Sequence, residues 1–395
     1  MSINSIVLII LSVFAAINVI VYVSLPRFRR AVAIVSRTFI GLLFIFSGFV
    51  KGVDPLGFMY RIEDYFAAYH TLWAMPLAIY LSVFLIAFEF TLGVLLLLNI
   101  KVKYVCWLVL MTMAGFTVIT LYDALYSPVP DCGCFGDAIT LTNFETFWKN
   151  IVIDSLLLLL LLYRNKFSKT FSIRAEVMVM VTVPVLFIGF ELFNYRHLPV
   201  IDFMEWKTGK KMFLENPQPL KYYLTYKNKT TGEKKEYLSP DYPYNDSIWM
   251  SKWEFVSTRV EDPNPKITNL MISDSTGADI TAHFIRNPDY QFLLIVNDMK
   301  TTNKEAFKKI NTIYYYADSS GYSLIGITSG LKSDIAKFRD QMKTTFELYN
   351  ADDVILKTMV RSNPGLILLK NGIVIKKWHY HDFPERKELS RILKK

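Results

Sequence analysis

The first 26 residues, from "MSINSIVLII" to "VYVSLP", carry no charged side chain. A helix rises about 1.5 Å per residue, so this run is long enough to cross a hydrocarbon core about 30 Å thick. Positive charges follow the run, in "RFRR", whereas a cleaved signal peptide has a basic start. The run is therefore predicted to be a membrane-spanning helix.

Five further apolar segments follow in the same half of the chain. They are Ala31–Val50, Met75–Ile100, Tyr104–Tyr122, Trp148–Tyr163 and Val177–Tyr195. Residues 1–200 hold 14 Lys or Arg and 11 Asp or Glu, while residues 201–395 hold 30 and 24. These patterns predict an all-α bundle of about six transmembrane helices over residues 1–195, followed by a soluble α/β part.

The basic residues predict which side of the membrane each loop occupies. The loops after spans one, three and five hold ten of them: Arg27, Arg29, Arg30, Arg37, Lys101, Lys103, Arg164, Lys166, Lys169 and Arg174. The opposite loops hold four: Lys51, Arg61, Lys149 and Arg196. The positive-inside rule then predicts a multi-pass protein of a bacterial inner membrane with both termini in the periplasm. Lipid is an expected partner. Nucleic acid is not, because no basic cluster interleaved with aromatics occurs.

Two of the three cysteines lie one residue apart in "SPVPDCGCFGDAITLTNFETFW", between the fourth and fifth spans. Cys132 and Cys134 could form a strained, labile disulfide, ligate a metal or occupy a tight turn as structural residues. A metal is the least favoured, because the segment has no histidine and zinc usually takes four ligands. In the periplasm disulfides form and persist, which favours a catalytic redox pair.

Cys106 is too far away to complete this redox pair. It precedes Cys132 by 26 residues, about 39 Å of helix, and a disulfide needs Cα atoms within about 7 Å. Electrons must therefore pass to or from another protein, a quinone or a small thiol. No cofactor is certain, and a quinone stays open. Asp131 and Asp137 are expected to raise the thiol pKa values, unless a helix capped by Thr142 or Asn143 offsets them.

Charged residues inside the spans form a second candidate site. Glu89 lies mid-span, where a carboxylate normally faces the bundle interior and has a partner. Arg37 is the expected partner, and Lys51 and Asp154 are further candidates. Such a group can be a structural ion pair that fixes helix register, or a proton or quinone site.

The segment "DPLGFMYRIEDYFAAYHTLW" is predicted to form an interfacial helix over the bundle. Its apolar residues recur at helical spacing: Met59, Ile62, Phe66, Tyr69 and Trp73. Arg61, Glu63 and Asp64 lie off this stripe. The helix is either a structural lid or a cover over a quinone or partner site.

The motifs "FIGLLFIFSGFVKGVDPLG" and "EFTLGVLLLL" resemble the DoxX family, and "CGCFGD" resembles the related MauE group of redox-associated membrane proteins. The resemblance covers about residues 31–165. Five residues match its motifs: Lys51, Glu89, Gly93, Cys132 and Cys134. It implies a four-helix core and a role in periplasmic thiol–disulfide chemistry.

The soluble half shows strands and helices in the order β-α-β-α-β-β. "QFLLIVND" reads as a buried central strand, and "PGLILLKNGIVIKKWHYH" reads as a hairpin with an Asn-Gly turn. The order over residues 265–395 resembles a thioredoxin-like domain of the TlpA/peroxiredoxin-like branch, after a β-rich extension at residues 196–264. The resemblance implies a cis Asn363–Pro364 bond in a partner-binding loop. No cysteine follows Cys134, so this domain cannot exchange disulfides by itself.

Two functions remain open from the sequence. The first is an inner-membrane component of thiol–disulfide metabolism that cycles Cys132 and Cys134 with a periplasmic thiol protein or a quinone. The alternative is a non-enzymatic scaffold whose thioredoxin-like domain binds a partner protein. The sequence leaves open whether the chain is an enzyme.

Overall fold

The computed structural model describes residues 3–264, 267–274 and 276–393. Its first half is helical: α1 Ile3–Ser24, α2 Arg29–Val53, α3 Pro55–Ala68, α4 Ala78–Leu97, α5 Val102–Tyr126, α6 Asn143–Tyr163 and α7 Ile173–Arg196. Within the described residues, six of these helices, all but α3, are long and apolar enough to cross a membrane. The prediction of an all-α part with six membrane-length helices is confirmed.

Glycines let α2 and α4 pack very closely. A Cβ atom on Gly93 would lie 2.7 Å from the Ile45 nitrogen, and one on Gly48 would lie 2.9 Å from the Phe90 Cβ. The two helices are antiparallel, and these contacts fix their register. Lys51, about one turn beyond Gly48, is thereby brought opposite Glu89.

We expect Gly93→Ala to lower the thermal stability of the bundle, because the added methyl group must push α4 away from the α2 backbone. Overpacking of this kind costs about 1–3 kcal/mol. Gly115→Ala is the matched control, since a Cβ atom there meets nothing within 4 Å. Thermal unfolding of both variants in detergent tests the prediction, which is wrong if the two melt at the same temperature.

Helix α6 is the centre of the bundle. It packs against α1, α2 and α5, and its Leu156, Leu157 and Leu160 are fully buried. Helix α7 packs on the other side, where the Phe187 ring stacks on Phe90 with centroids 3.8 Å apart. The helices surrounding the Cys-Gly-Cys segment are therefore held by one continuous apolar core and a stacked pair at its flank.

The second half contains two sheets. The strands are β1 Lys221–Asn228, β2 Lys234–Leu238, β3 Trp253–Glu261, β4 Tyr290–Val296, β5 Ser323–Thr328, β6 Leu348–Asn350, β7 Gly365–Lys370 and β8 Ile373–His379. The helices are α8 Ser247–Lys252, α9 Thr281–Ile285, α10 Ala306–Ser319, α11 Lys332–Met342, α12 Asp353–Met359 and α13 Arg386–Ile392. The α/β class predicted for this half is confirmed.

The larger sheet has the strand order β6-β5-β4-β7-β8. Strands β4, β5 and β6 are parallel, while β7 and β8 are antiparallel to their neighbours. All seven residues of β4 are buried, as its continuous apolar run predicts. The smaller antiparallel sheet has the order β2-β1-β3. Trp206 and Met212, which precede the small sheet, pack in the core of the larger one.

The loop between α12 and β7 contains the Asn363–Pro364 bond, which is cis as predicted. The loop faces one end of the helical bundle, because Arg361 at its start contacts Asp54, between α2 and α3, and Asp137, between α5 and α6. This contact brings the cis-proline loop of the second half close to the Cys-Gly-Cys segment of the first.

Candidate functional site

The Cys-Gly-Cys segment lies between α5 and α6, at the end of the bundle that the sheet domain covers. Gly133 has a φ of +66°, and a Cβ atom there would lie 2.8 Å from Arg61 Cγ. The Asp131 carboxylate accepts a hydrogen bond from the Gly133 nitrogen at 2.9 Å. Ser47 donates to the Cys134 carbonyl at 2.7 Å. A glycine is therefore required between the cysteines both by backbone conformation and by a close contact.

A cavity of about 340 Å³ extends from this segment into the bundle. Its wall is mostly apolar, and its polar residues are Ser47, Lys51, Arg61, Tyr65, Tyr69, Thr71, Glu89, Thr120, Lys149 and Asn150, together with the two cysteines. Both cysteines are free, partly buried thiols. Because they line the cavity, it gives a small molecule a route to the two sulfur atoms.

The buried carboxylate of Glu89 forms an ion pair with Lys51, whose Nζ donates to Oε2. Both side chains are less than a tenth exposed. The prediction that Glu89 faces the bundle interior with a basic partner is confirmed, but the choice of Arg37 as that partner is wrong. The glycine contacts fix a register in which Arg37 lies far along α2 from Glu89.

Arg37 and Asp154 do not line the cavity. The Arg37 guanidinium lies 5.1 Å from the centre of the Phe167 ring, near the opposite end of the bundle. Asp154 accepts a hydrogen bond from Thr117 at 2.7 Å, between α5 and α6. Of the four charged residues predicted to form a membrane polar site, the structure brings Lys51 and Glu89 together.

The two thiols have opposite pKa shifts. A hydrogen bond from Cys132 lowers the pKa of Cys134 to about 6, with help from Lys149 and Lys51 and against the effect of burial. The same hydrogen bond and burial raise the pKa of Cys132. Cys134 is thus the sulfur that carries the thiolate near neutral pH.

The expectation that Asp131 and Asp137 would hold back thiolate formation is wrong for Cys134. Arg61 pairs with Asp131 at 2.8 Å, and Arg361 pairs with Asp137 at 2.7 Å. Both carboxylates are therefore neutralised by their own partners, while lysine charges act on the thiol. The predicted helix after the segment does begin with Thr142 as its cap, in a capping box with Glu145.

Helix α3 covers the cavity. It lies in the segment that the sequence predicts to form a helix over the bundle. Ile62, Phe66 and Tyr69 of the predicted stripe line the cavity, and Arg61 lines it too, although it lies off that stripe. Tyr65 donates a hydrogen bond to Asp123 at 2.6 Å, which ties α3 to α5. The cover is therefore anchored to the bundle by polar contacts.

Arg361 joins the sheet domain to the site. Its side chain is 4% exposed, and its Nε donates to Asp54 at 2.8 Å while an Nη atom donates to Asp137 at 2.7 Å. Asp54 also caps α3 by accepting from the Gly57 nitrogen at 2.9 Å. One buried guanidinium thus links the sheet domain, the cover helix and the Cys-Gly-Cys segment.

The predicted partner-binding residues Asn363 and Pro364 lie next to this link. The Asn363 amide donates to the Asp298 carbonyl at 2.7 Å, and its own carbonyl accepts from the Asn303 nitrogen at 3.0 Å. The Pro364 carbonyl accepts from Ser362 at 2.6 Å. These groups are satisfied within the domain, whereas the buried Asn363 Oδ1 has no hydrogen-bond partner among the described residues. The role of Asn363 and Pro364 in binding a partner stays a prediction.

Sequence reasoning did not identify Lys149, Asn150 or Arg361 as site residues. Lys149 and Asn150 are both more than nine-tenths buried; Lys149 Nζ lies 4.7 Å from the Phe135 ring centre, and Asn150 donates to Thr120 at 3.0 Å. A Lys-Asn pair in the second turn of an apolar helix was the available signal. Nothing in the pattern around Arg361 marks it.

In the part of the chain that the structure describes, no group of three or more His, Cys, Asp or Glu residues is placed to hold a metal ion. The mostly apolar cavity could instead hold an uncharged organic molecule, with Lys149 and Asn150 in its wall as polar contacts. The chemistry that the site offers is that of a thiolate and a thiol at the end of an enclosed apolar space.

No curated protein and no solved structure matches the chain. Residues 29–164 match a family described as methylamine utilisation protein MauE, and this range contains α2 to α6, the ion pair and both site cysteines. The DoxX resemblance stays a prediction. Residues 29–164 are therefore similar to the MauE family, and the six membrane-length helices fit a multi-pass membrane protein.

Proposed function

We propose that the chain is a membrane thiol–disulfide module in which Cys132 and Cys134 alternate between a dithiol and a disulfide. The observation that carries the proposal is the Cys134 thiol, which shares the cavity wall with two buried lysines and has a pKa of about 6. Low-pKa, accessible thiols are typical of catalytic cysteines, whereas buried structural ones are inert. The family match over this segment supports a redox-associated membrane role in general.

The pKa shift also favours a direction of electron flow. Stabilising the thiolate stabilises the reduced pair, and a dithiol whose reduced form is stabilised makes an oxidising disulfide. In the oxidised state a partner thiolate attacks one sulfur, and Cys134 is the better leaving group because its thiolate is the more stable. A second partner thiol then releases the partner as a disulfide and leaves the Cys132–Cys134 dithiol.

For the membrane orientation, we propose that the Cys-Gly-Cys segment and the sheet domain face the periplasm, where partner thiols are oxidised. The distribution of basic residues supports this orientation. We propose that the sheet domain is thioredoxin-like and positions the Cys-Gly-Cys segment through Arg361, since it lacks cysteines of its own. The alternative, a scaffold with structural cysteines, makes the opposite prediction in the experiment below.

We expect the purified protein to exchange one pair of thiols in graded glutathione buffers, with a potential higher than that of structural disulfides. Alkylation and mass measurement count the thiols, and Cys106→Ala is the control because this thiol is fully buried and away from the cavity. Cys134→Ser and Cys132→Ser should each abolish the exchange. A pair that stays oxidised below about −300 mV, or never oxidises, supports the scaffold instead.

A further inference from the structure

We infer that the cavity beside Cys134 binds a lipid-soluble quinone, which reoxidises the Cys132–Cys134 dithiol. The inference rests on the proposed function and adds the identity of the electron acceptor. It depends on three features of the described residues: the shape of the cavity, the position of its opening and the absence of another dithiol near the pair.

The cavity continues into a groove on the outer surface of the bundle. Phe66, Thr71 and Leu81 line both spaces, so the two are contiguous. The rest of the groove is formed by Trp73, Ala74, Leu77, Tyr80 and Phe84. These residues precede or belong to the membrane-length helix α4, and Trp73 and Tyr80 are 78% and 73% exposed. The opening therefore lies on the outer surface of the bundle, beside a helix that is long and apolar enough to cross a membrane.

The lining suits an amphipathic ring with an apolar tail. The groove is mostly apolar, while Lys149, Asn150 and the two thiols belong to the cavity wall and form what we call its polar end. A volume of about 340 Å³ lies within the range of small-molecule sites. An isoprenoid tail can lie in the groove while the quinone carbonyls reach the polar end. A hydrophilic thiol would have to leave water to enter by this route.

The chain also requires an external acceptor. Cys106 is the remaining cysteine, and it is fully buried near the start of α5, at the opposite end of that helix from the Cys-Gly-Cys segment. A dithiol that has been reduced by a partner thus cannot pass its electrons to a second pair in this chain. A quinone takes up two electrons, the number that forming one disulfide releases.

The step balances for electrons and protons. The Cys134 thiolate and the Cys132 thiol form a sulfur–sulfur bond and are oxidised by two electrons, with loss of the Cys132 S–H proton. The quinone is reduced as both carbonyl groups become hydroxyl groups, which takes that proton and one more from the aqueous phase. Lys149 lies at the polar end, where it can stabilise negative charge on a quinone oxygen during the transfer.

The test uses the full chain in lipid nanodiscs, reduced and freed of reductant, with decylubiquinone added under anaerobic conditions. We expect one quinol per disulfide formed, measured by quinone absorbance and by counting alkylated thiols. Leu81→Trp narrows the passage between the cavity and the groove. It should lower the quinone rate, relative to oxidation by glutathione disulfide, at least tenfold. Leu125→Trp, at a 67% exposed position outside the cavity and groove, should change neither rate.

The outcomes separate the inference from the function on which it rests. If glutathione disulfide oxidises the pair and decylubiquinone does not, the quinone inference is wrong and the proposed function stands. If neither reagent oxidises it, both are wrong. Equal quinone rates in wild type and Leu81→Trp would overturn the lateral route, and a phospholipid chain that resists displacement by decylubiquinone would show that the cavity is a lipid site.

Discussion

Lys149→Met is expected to slow the alkylation of Cys134 at pH 7, about twofold for a rise of about one pKa unit, because it removes the lysine charge with the larger effect on the pKa of this thiol. The thiolate is the species that reacts, and with a pKa of about 6 it is the main form at pH 7. Removing the charge raises the pKa, so the thiolate fraction at pH 7 falls. The alkylation rate plotted against pH should shift its midpoint upward from about 6.

The measurement is iodoacetamide labelling of the reduced protein, with the site located by peptide mass. Lys166→Met is the control, since Lys166 lies beyond the far end of α6 with its Nζ 5.5 Å from the Tyr163 ring centre. This variant should keep the wild-type profile. An unchanged midpoint in Lys149→Met would contradict a role for Lys149 and leave the hydrogen bond from Cys132 and the charge of Lys51 as the causes of the low pKa.

Arg361→Met is expected to destabilise the contact between the sheet domain and the bundle by about 3–5 kcal/mol, because it leaves two carboxylates near a buried site without their cation. Asp54 and Asp137 are 12% and 35% exposed, and the guanidinium between them is 4% exposed. The rate of trypsin cleavage after Arg196, the last residue of α7, reports separation of the two parts.

This effect should depend on pH with a defined sign. Burial raises the pKa of Asp137, and Arg361 opposes that rise. Without the arginine the pKa rises further, so Asp137 takes up a proton as the pH falls and the unpaired charge disappears. The destabilisation of the domain contact by Arg361→Met should therefore become smaller as the pH falls. Adding Asp54→Asn and Asp137→Asn to the Arg361→Met variant should reduce this destabilisation at neutral pH.

A matched control separates this buried group from an ordinary surface arginine. Arg339 pairs with Glu347 at 2.7 Å, but the two side chains are 30% and 58% exposed. Exposed pairs contribute about 0–1 kcal/mol, so Arg339→Met should leave the cleavage rate close to that of the wild type. Equal effects of the two variants would show that Arg361 does not hold the domain in place.

The membrane helices could be predicted from the sequence because length and hydropathy are sufficient for that purpose. The partner of Glu89 could not, because it depends on helix register. Gly41, Gly48 and Gly93 determine that register, because each lets the backbones of α2 and α4 approach closely. The pattern of apolar residues in the sequence does not show such contacts. The expectation that a buried carboxylate has a basic partner was correct. Identifying that partner required the three-dimensional structure.

The electrostatics of the Cys-Gly-Cys segment show a second limit of sequence reasoning. The nearest charges along the chain, Asp131 and Asp137, are acidic, yet the lysines that act on Cys134 come from α2 and α6. The cation that pairs with Asp137 is Arg361, which lies 224 positions further along the chain. Charges close in sequence are a poor guide to a thiol pKa when folding brings other helices against it.

The link through Arg361 makes the position of the sheet domain and the chemistry of the cysteines thermodynamically dependent on each other. Asp137 lies three residues after Cys134, in the segment whose backbone must adjust when a ring closes between the two sulfur atoms. Any preference of the docked domain for one redox state appears as an equal preference of that redox state for docking. For a two-electron couple, about 1.4 kcal/mol of such coupling shifts the midpoint potential by about 30 mV. Under the proposed redox cycle, a domain without cysteines would thus tune the midpoint potential of the Cys132–Cys134 pair.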